Sequence, residues 1–189
     1  MTGTVAIEDA HHLARIGRYD DAIAAYDSIL KTDPNNTAAL EEKGEVYYAL
    51  GRHDDALACY DQALAINPKS VTVWFEKGYT LRKIGRNDEA VFCFDRALAL
   101  DPEFTLAIAN KGYSLNLLGK HQDAVVCFDR VLNTSPNNLR AMTGKGIALM
   151  ALGKNEEALI LFDKAININP INSFVLQQRA EALRRLGRI

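Results

Sequence analysis

The chain has 189 residues, 48% of them hydrophobic and 24% charged, a composition that suits a packed chain and excludes wholesale disorder. A net charge of −2 is the opposite of the strongly basic footprint of a nucleic-acid binder. No stretch approaches the roughly 20 apolar residues that span a bilayer, and MTGTVAIEDAHH at the N-terminus lacks a basic region followed by an apolar run. The expectation is a chain with no membrane and no nucleic-acid partner, in the cytoplasm.

In chain order, the punctuation repeats. Pro34, Pro68, Pro102, Pro136 and Pro170 are all the prolines the chain holds, each 34 residues from the next. The units are residues 3–36, 37–70, 71–104, 105–138 and 139–172, followed by a half-unit, 173–189. Residues 71–104 are the clearest copy. Trp74, Gly78 and Leu81, then Ala90, Phe94, Ala97 and Leu98, fall three or four apart and share one face of each of two helices. Gly85 ends the first helix as a left-handed C-cap, and Asn87 is placed to cap the second, with Asp88 and Glu89 near its positive end. Asp101-Pro102 stops that helix, because proline disfavours helical geometry in the residue before it. Neither helix can bury its apolar stripe alone, whereas stacked pairs bury a continuous core. The first unit carries Ala6 and Ala10 where later units have a large residue and glycine, so looser packing is expected there. The final half-unit reads as one helix with a polar face suited to a solubilising cap, or as the cut edge of a longer array.

This pattern resembles the tetratricopeptide repeat, a 34-residue helix–turn–helix unit with a Trp, Leu-Gly, Tyr, Ala, Phe and Pro signature. The second unit matches at Leu40, Gly44, Tyr47, Ala56, Tyr60, Ala63 and Pro68. The third matches at Trp74, Gly78, Ala90, Phe94, Ala97 and Pro102. Ile108, Gly112, Phe128 and Pro136 in the fourth, and Met142, Gly146, Phe162 and Pro170 in the fifth, continue it. One departure recurs: Lys43, Lys77, Lys111 and Lys145 stand where the family usually has leucine. The resemblance implies an all-α, right-handed superhelical solenoid of antiparallel helix pairs, forming one domain over the whole chain.

Signals for chemistry are missing. The glycines are isolated and belong to the repeat, and His11, His12, His53 and His121 have no ligand spacing with cysteine or acid. No catalytic, cofactor or metal site is expected. Cys59, Cys93 and Cys127 are 34 residues apart, which in stacked helices means about 8–10 Å. A disulfide wants Cα atoms at roughly 4.4–6.8 Å, so three buried thiols are expected.

Two charge patterns stand out. Asp27, Asp61, Asp95, Asp129 and Asp163 recur on the second helices and the lysines on the next first helices, so each Asp is expected either to pair with the following Lys or simply to be solvated. The net charge of successive units also drifts, through −3, −3, −1, +1 and +1 to +3 in the half-unit. Such an asymmetry can orient a partner.

The family's first helices line a concave groove that commonly takes extended peptides or helices. Carried over, the groove residues are Glu41, Glu42, Glu45, Phe75, Glu76, Tyr79, Arg82, Asn110, Tyr113 and Asn116. In that reading the acids select a basic stretch of a protein or peptide partner, Tyr79 and Tyr113 anchor it, and Asn110 and Asn116 bond its backbone. Some relatives clamp a C-terminal carboxylate, but Glu8 and Glu42 occupy the expected asparagine positions and would repel one. The expected function is a non-enzymatic binding scaffold. The alternative is a structural module that associates head to tail into a homo-oligomer through its acidic and basic ends.

Overall fold

The structure, a computed structural model, describes residues 2–188. Among these there are eleven helices and no strand, and they pack as two compact units, Met1–Asp101 and Pro102–Ile189. The first unit holds three helix pairs: α1 (Thr2–Arg15) with α2 (Tyr19–Thr32), α3 (Thr37–Ala49) with α4 (His53–Ile66), and α5 (Val71–Lys83) with α6 (Asn87–Leu100). The second holds α7 (Thr105–Leu117) with α8 (His121–Thr134), α9 (Leu139–Ala151) with α10 (Asn155–Ile168), and the single helix α11 (Ser173–Arg185).

Each pair turns at a glycine. At Gly85 the backbone is left-handed, φ +83°, and the Arg86 N–H bonds the Leu81 carbonyl while the Gly85 N–H bonds that of Arg82. These are the two bonds of a Schellman ending. That turn is tight enough to correct one expectation. The N-cap of α6 is Arg86, not Asn87; the Asn87 amide donates back to the Gly85 carbonyl, and Arg86 pairs with Glu89 across the first turn. The longer turns between pairs do use side-chain caps. Asn36, Ser70, Asn138 and Asn172 accept from the N–H groups of Ala39, Val73, Ala141 and Val175.

One large aromatic per repeat forms the core: Tyr26, Tyr60 and Phe94 in the first unit, Phe128 and Phe162 in the second, all fully buried. Each of the last four rings lies where a glycine of the preceding helix leaves room. A Cβ on Gly44 would stand 2.5 Å from Tyr60 Cε1, and one on Gly78 2.8 Å from Phe94 Cε1. The recurring spacing of glycine and aromatic is therefore one close approach of two helices, copied along the chain.

Phe75, expected in the groove, is buried, while Trp74 packs on the core as expected but at its edge. Trp74 is only partly buried: its indole N–H donates to the Pro68 carbonyl at 2.9 Å, its ring meets Phe92 edge-on, and Arg96 lies over it. An indole N–H needs an acceptor, and the nearest exposed carbonyl draws this ring to the edge of the pair. Phe75 instead is 9% exposed and packs on Phe94 and Tyr79.

The aspartate–lysine ladder is present within both units. Lys43 pairs with Asp27 at 2.5 Å and Lys77 with Asp61; in the second unit Lys145 pairs with Asp129 at 2.5 Å. The half-unit continues the ladder with an arginine, Arg179 to Asp163 at 2.5 Å. Every pair joins a second helix to the first helix of the next repeat. Their lysine stems are mostly covered, so they also shield apolar surface. Cys59, Cys93 and Cys127 are buried and form no disulfide, and burial pushes the Cys93 thiol up to about 11.

Candidate functional site on the first helices

Within each unit the first helices touch one another, α1 to α3 and α3 to α5, then α7 to α9 and α9 to α11. Among the described residues the second helices make no such contacts; each packs on its own partner, and within the units α2, α4, α8 and α10 pack on the next first helix. The first helices therefore line the narrower, inner side of each unit. That side holds the candidate site residues.

In the first unit the inner side is acidic. Glu42 is already engaged: its carboxylate accepts from the Tyr26 hydroxyl at 2.6 Å and faces His11 Nδ1 at 3.2 Å. Glu41, Glu45 and Glu76 make no ion pair among the described residues. Their proximity shows in their acidities. Burial pushes the Glu76 carboxyl up to about 7, and the charges of Glu45 and Glu41 add to it. Glu45 is also raised, first by the protein atoms crowding the inner wall and then by Glu41 and Glu42, with His11 opposing. Its side chain still meets solvent, as a residue on a concave wall can.

Beside the acids lies an aromatic and cationic strip. Tyr48 and Tyr79 have ring centroids 5.7 Å apart, and burial with the neighbouring Tyr79 hydroxyl pushes Tyr48 up to about 12. The Arg82 guanidinium sits 5.1 Å from the Tyr79 ring, and Lys83 approaches the same ring at 5.7 Å. Tyr79 and Arg82 are partly exposed and reachable from the inner side; Phe75 supports the Tyr79 ring from beneath, stacked at 6.0 Å.

The second unit's inner side is built differently. The Tyr113 hydroxyl donates to the Arg140 carbonyl at 2.7 Å, and its ring meets Phe128 edge-on at 5.1 Å. The Asn116 amide donates to the Gly144 carbonyl at 3.0 Å, and the Asn110 amide to Leu106 within its own helix at 2.8 Å. Those amide donors, expected from sequence to meet a peptide backbone, thus serve the protein's own: Asn116 and Tyr113 tie α7 to α9. What remains open is a cavity of about 330 Å³ between α9 and α11, whose walls include Tyr113, Arg140, Thr143, Ile147 and Phe174. Phe174 is 51% exposed and belongs to the half-unit read from sequence as a polar cap. Its exposure depends on the turn before α11, which residue type alone does not reveal.

No group of three or more His, Cys, Asp or Glu among the described residues is arranged to hold a metal ion, and no helix there is long and apolar enough to cross a membrane. Tetratricopeptide-repeat models match residues 8–71, 117–172 and 71–104. The chain belongs to the tetratricopeptide repeat family. A search of curated proteins finds no match. Among solved structures the repeat array is similar to the MamA protein, with 25% identity over 95% of this chain and 94% of that one and a TM-score of 0.82. It is similar to YrrB, described as a TPR protein with an unusual peptide-binding site, with 25% identity over 93% and 90% and a TM-score of 0.84. PilW, a type IV pilus biogenesis factor, matches with 26% identity over 100% and 87% and a TM-score of 0.84.

Proposed function

We propose that the chain is a non-enzymatic binding scaffold, a single functional domain whose inner-side residues receive a protein or peptide segment. The observation that supports this most is the unpaired acidic wall of the first unit, Glu41, Glu45 and Glu76, next to the partly exposed Tyr79 and Arg82. A row of unneutralised carboxylates selects a basic stretch, and a tyrosine offers large contact area with a polar tip. Glu42, held by Tyr26, sets the shape of that wall. In the second unit Tyr113 lends its ring to the α9–α11 cavity, and Asn110 and Asn116 hold the helix that carries it. The peptide-binding site named for YrrB agrees with this use of the fold.

The test is a peptide array probed with the full chain, with Tyr79→Ala as control. Basic segments should be enriched, and the variant should bind them several-fold more weakly at unchanged helicity. Equal binding by the variant discards the inner-side assignment. A second reading rests on the charge drift from −3 in the first repeat to +3 in the half-unit: copies joining head to tail. Light scattering at low salt and rising concentration distinguishes them, since a constant monomer mass removes self-association.

A further inference from the structure

In both units a core aromatic reaches toward one position of the next first helix, 16 residues on. The Tyr26 hydroxyl meets Glu42 there, and in the second unit a Cβ on Gly144 would stand 2.5 Å from Phe128 Cζ. By the same geometry Tyr60 is aimed at Glu76, and Glu76 heads the charges acting on its hydroxyl, followed by Glu45. Yet Tyr60 is 0% exposed and its hydroxyl has no hydrogen-bond partner. A buried hydroxyl without a partner costs about 1–3 kcal/mol, so an arrangement that satisfies it is favoured. The sequence marks this device: the two repeats with tyrosine in the core, Tyr26 and Tyr60, have glutamate 16 residues on, while Phe94, Phe128 and Phe162 are followed by Asn110, Gly144 and Gln178.

Resting on the binding-groove reading above, we propose that Glu41, Glu45 and Glu76, with the Tyr60 hydroxyl beneath them, form a socket for one lysine side chain of the bound segment. Among the described residues no group of three or more His, Cys, Asp or Glu is arranged to hold a metal ion, these carboxylates included. An ammonium asks less of them. It has three donors at hydrogen-bond length and no fixed plane, which suits acceptors spread over α3 and α5 better than the flat fork of a guanidinium. With the ammonium in place Glu76 is a full carboxylate, and the Tyr60 hydroxyl gains a charged acceptor.

Filling the socket therefore releases a proton. In the empty protein Glu76 is about half protonated near pH 7. The charges acting on it are those of Glu45 and Glu41 of α3; it acts in turn on Tyr48 of α3 and Tyr60 of α4, and Arg82 of its own helix acts on Tyr48. From α6 the neighbours of α5 are the Phe94 ring and the neutral Cys93 thiol at Gly78, and Phe92 and the Arg96 guanidinium at Trp74. Among the described residues no cation is ion-paired with Glu76, so an arriving ammonium is the first to displace its proton.

The experiment follows the side-chain carboxyl carbons of the full chain, labelled in glutamate, by NMR at pH 7. The added probes are Nα-acetyl-lysine methylamide, its Nε-acetylated form and the arginine analogue. Glu76 is assigned from the signal lost in Glu76→Gln. The lysine probe should move the Glu76 signal to its ionised position and lower its titration midpoint by a pH unit or more. The Nε-acetylated form should do neither, and the arginine analogue should need several-fold more ligand. Tyr60→Phe, which keeps the ring and the packing, should weaken the lysine response several-fold. An unmoved Glu76 signal, or an equal response to the neutral probe, overturns the socket; an equal response to arginine overturns the choice of lysine. A basic peptide that binds in a Tyr79-dependent way without moving Glu76 leaves the groove standing and removes only the socket.

Discussion

Glu76→Gln should make the protein clearly more stable at pH 8 and change its stability much less at pH 5. The unfolded chain ionises this carboxyl around its ordinary value of 4.5, whereas in the fold burial, then Glu45 and Glu41, push it up to about 7. Below pH 4.5 both states are protonated and the group contributes nothing. As pH rises toward 7 the folded state keeps a proton that the unfolded state has released, so stability falls; above 7 the whole cost is present. The gap between the two values converts to about 3 kcal/mol at 1.36 kcal/mol per pH unit. Glu76 is partly exposed, and screening reduces this to about 1–2 kcal/mol. Glutamine keeps the shape and an acceptor for Tyr60 but carries no charge. Its neighbour Glu45 is also raised, and loses one repulsive partner in the variant. The assay is urea unfolding followed by the fluorescence of Trp74, the single tryptophan, which lies on the same helix as Glu76. A stability difference that is the same at pH 5 and pH 8, or a variant less stable at pH 8, refutes the crowding of these carboxylates.

A double-mutant cycle on Asp61 and Lys77 should give a coupling of about 0.2–1 kcal/mol, the range for partly exposed pairs, and shrink in high salt; zero coupling would mean the ladder is only a solvated surface. Gly78→Ala should destabilise by about 1–3 kcal/mol, as overpacking does, although alanine ordinarily strengthens a helix, because its Cβ would press on Phe94 and Cys93; a gain in melting temperature would refute that contact. The three thiols should resist an aromatic disulfide reagent at pH 8 in the native protein and all react in denaturant, and immediate reaction of Cys93 would contradict its burial.

The fold was legible because the same few residues must recur wherever the same contact recurs. Glycine (alanine in the first copy) opposite an aromatic, a glycine turn, and a proline stop recur in all five full copies, so one repeat checks another. The misplacements occur where a residue has a choice that spacing does not constrain. Trp74 and Phe75 are adjacent, 100° apart on the helix, and the indole N–H decides between them by finding the Pro68 carbonyl. Asn87 is a good capping residue, yet the Schellman bonds at Gly85 close the turn one residue earlier. Asn116 and Tyr113 are polar groups on an inner face, and their partners are backbone carbonyls of α9, which no side-chain pattern announces.

The candidate site was legible in a different way, through the exceptions to the repeat. A contact shared by every copy tells of packing; a difference confined to some copies needs another cause. Tyrosine instead of phenylalanine in the core adds one hydroxyl at the far end of the ring, and that hydroxyl lands on the inner face of the next helix. Only there does a glutamate follow at the sixteenth residue. Packing alone does not call for either change, since Phe94, Phe128 and Phe162 fill the same place fully buried. The paired exceptions therefore concentrate charge on the inner side of the first unit. At the first pair Glu42 is satisfied by Tyr26 and His11, whereas at the second the Tyr60 hydroxyl lacks a partner and Glu76 is driven toward neutrality. Two copies of one device, one closed and one open, are what a site for a cation would require of an otherwise uniform array.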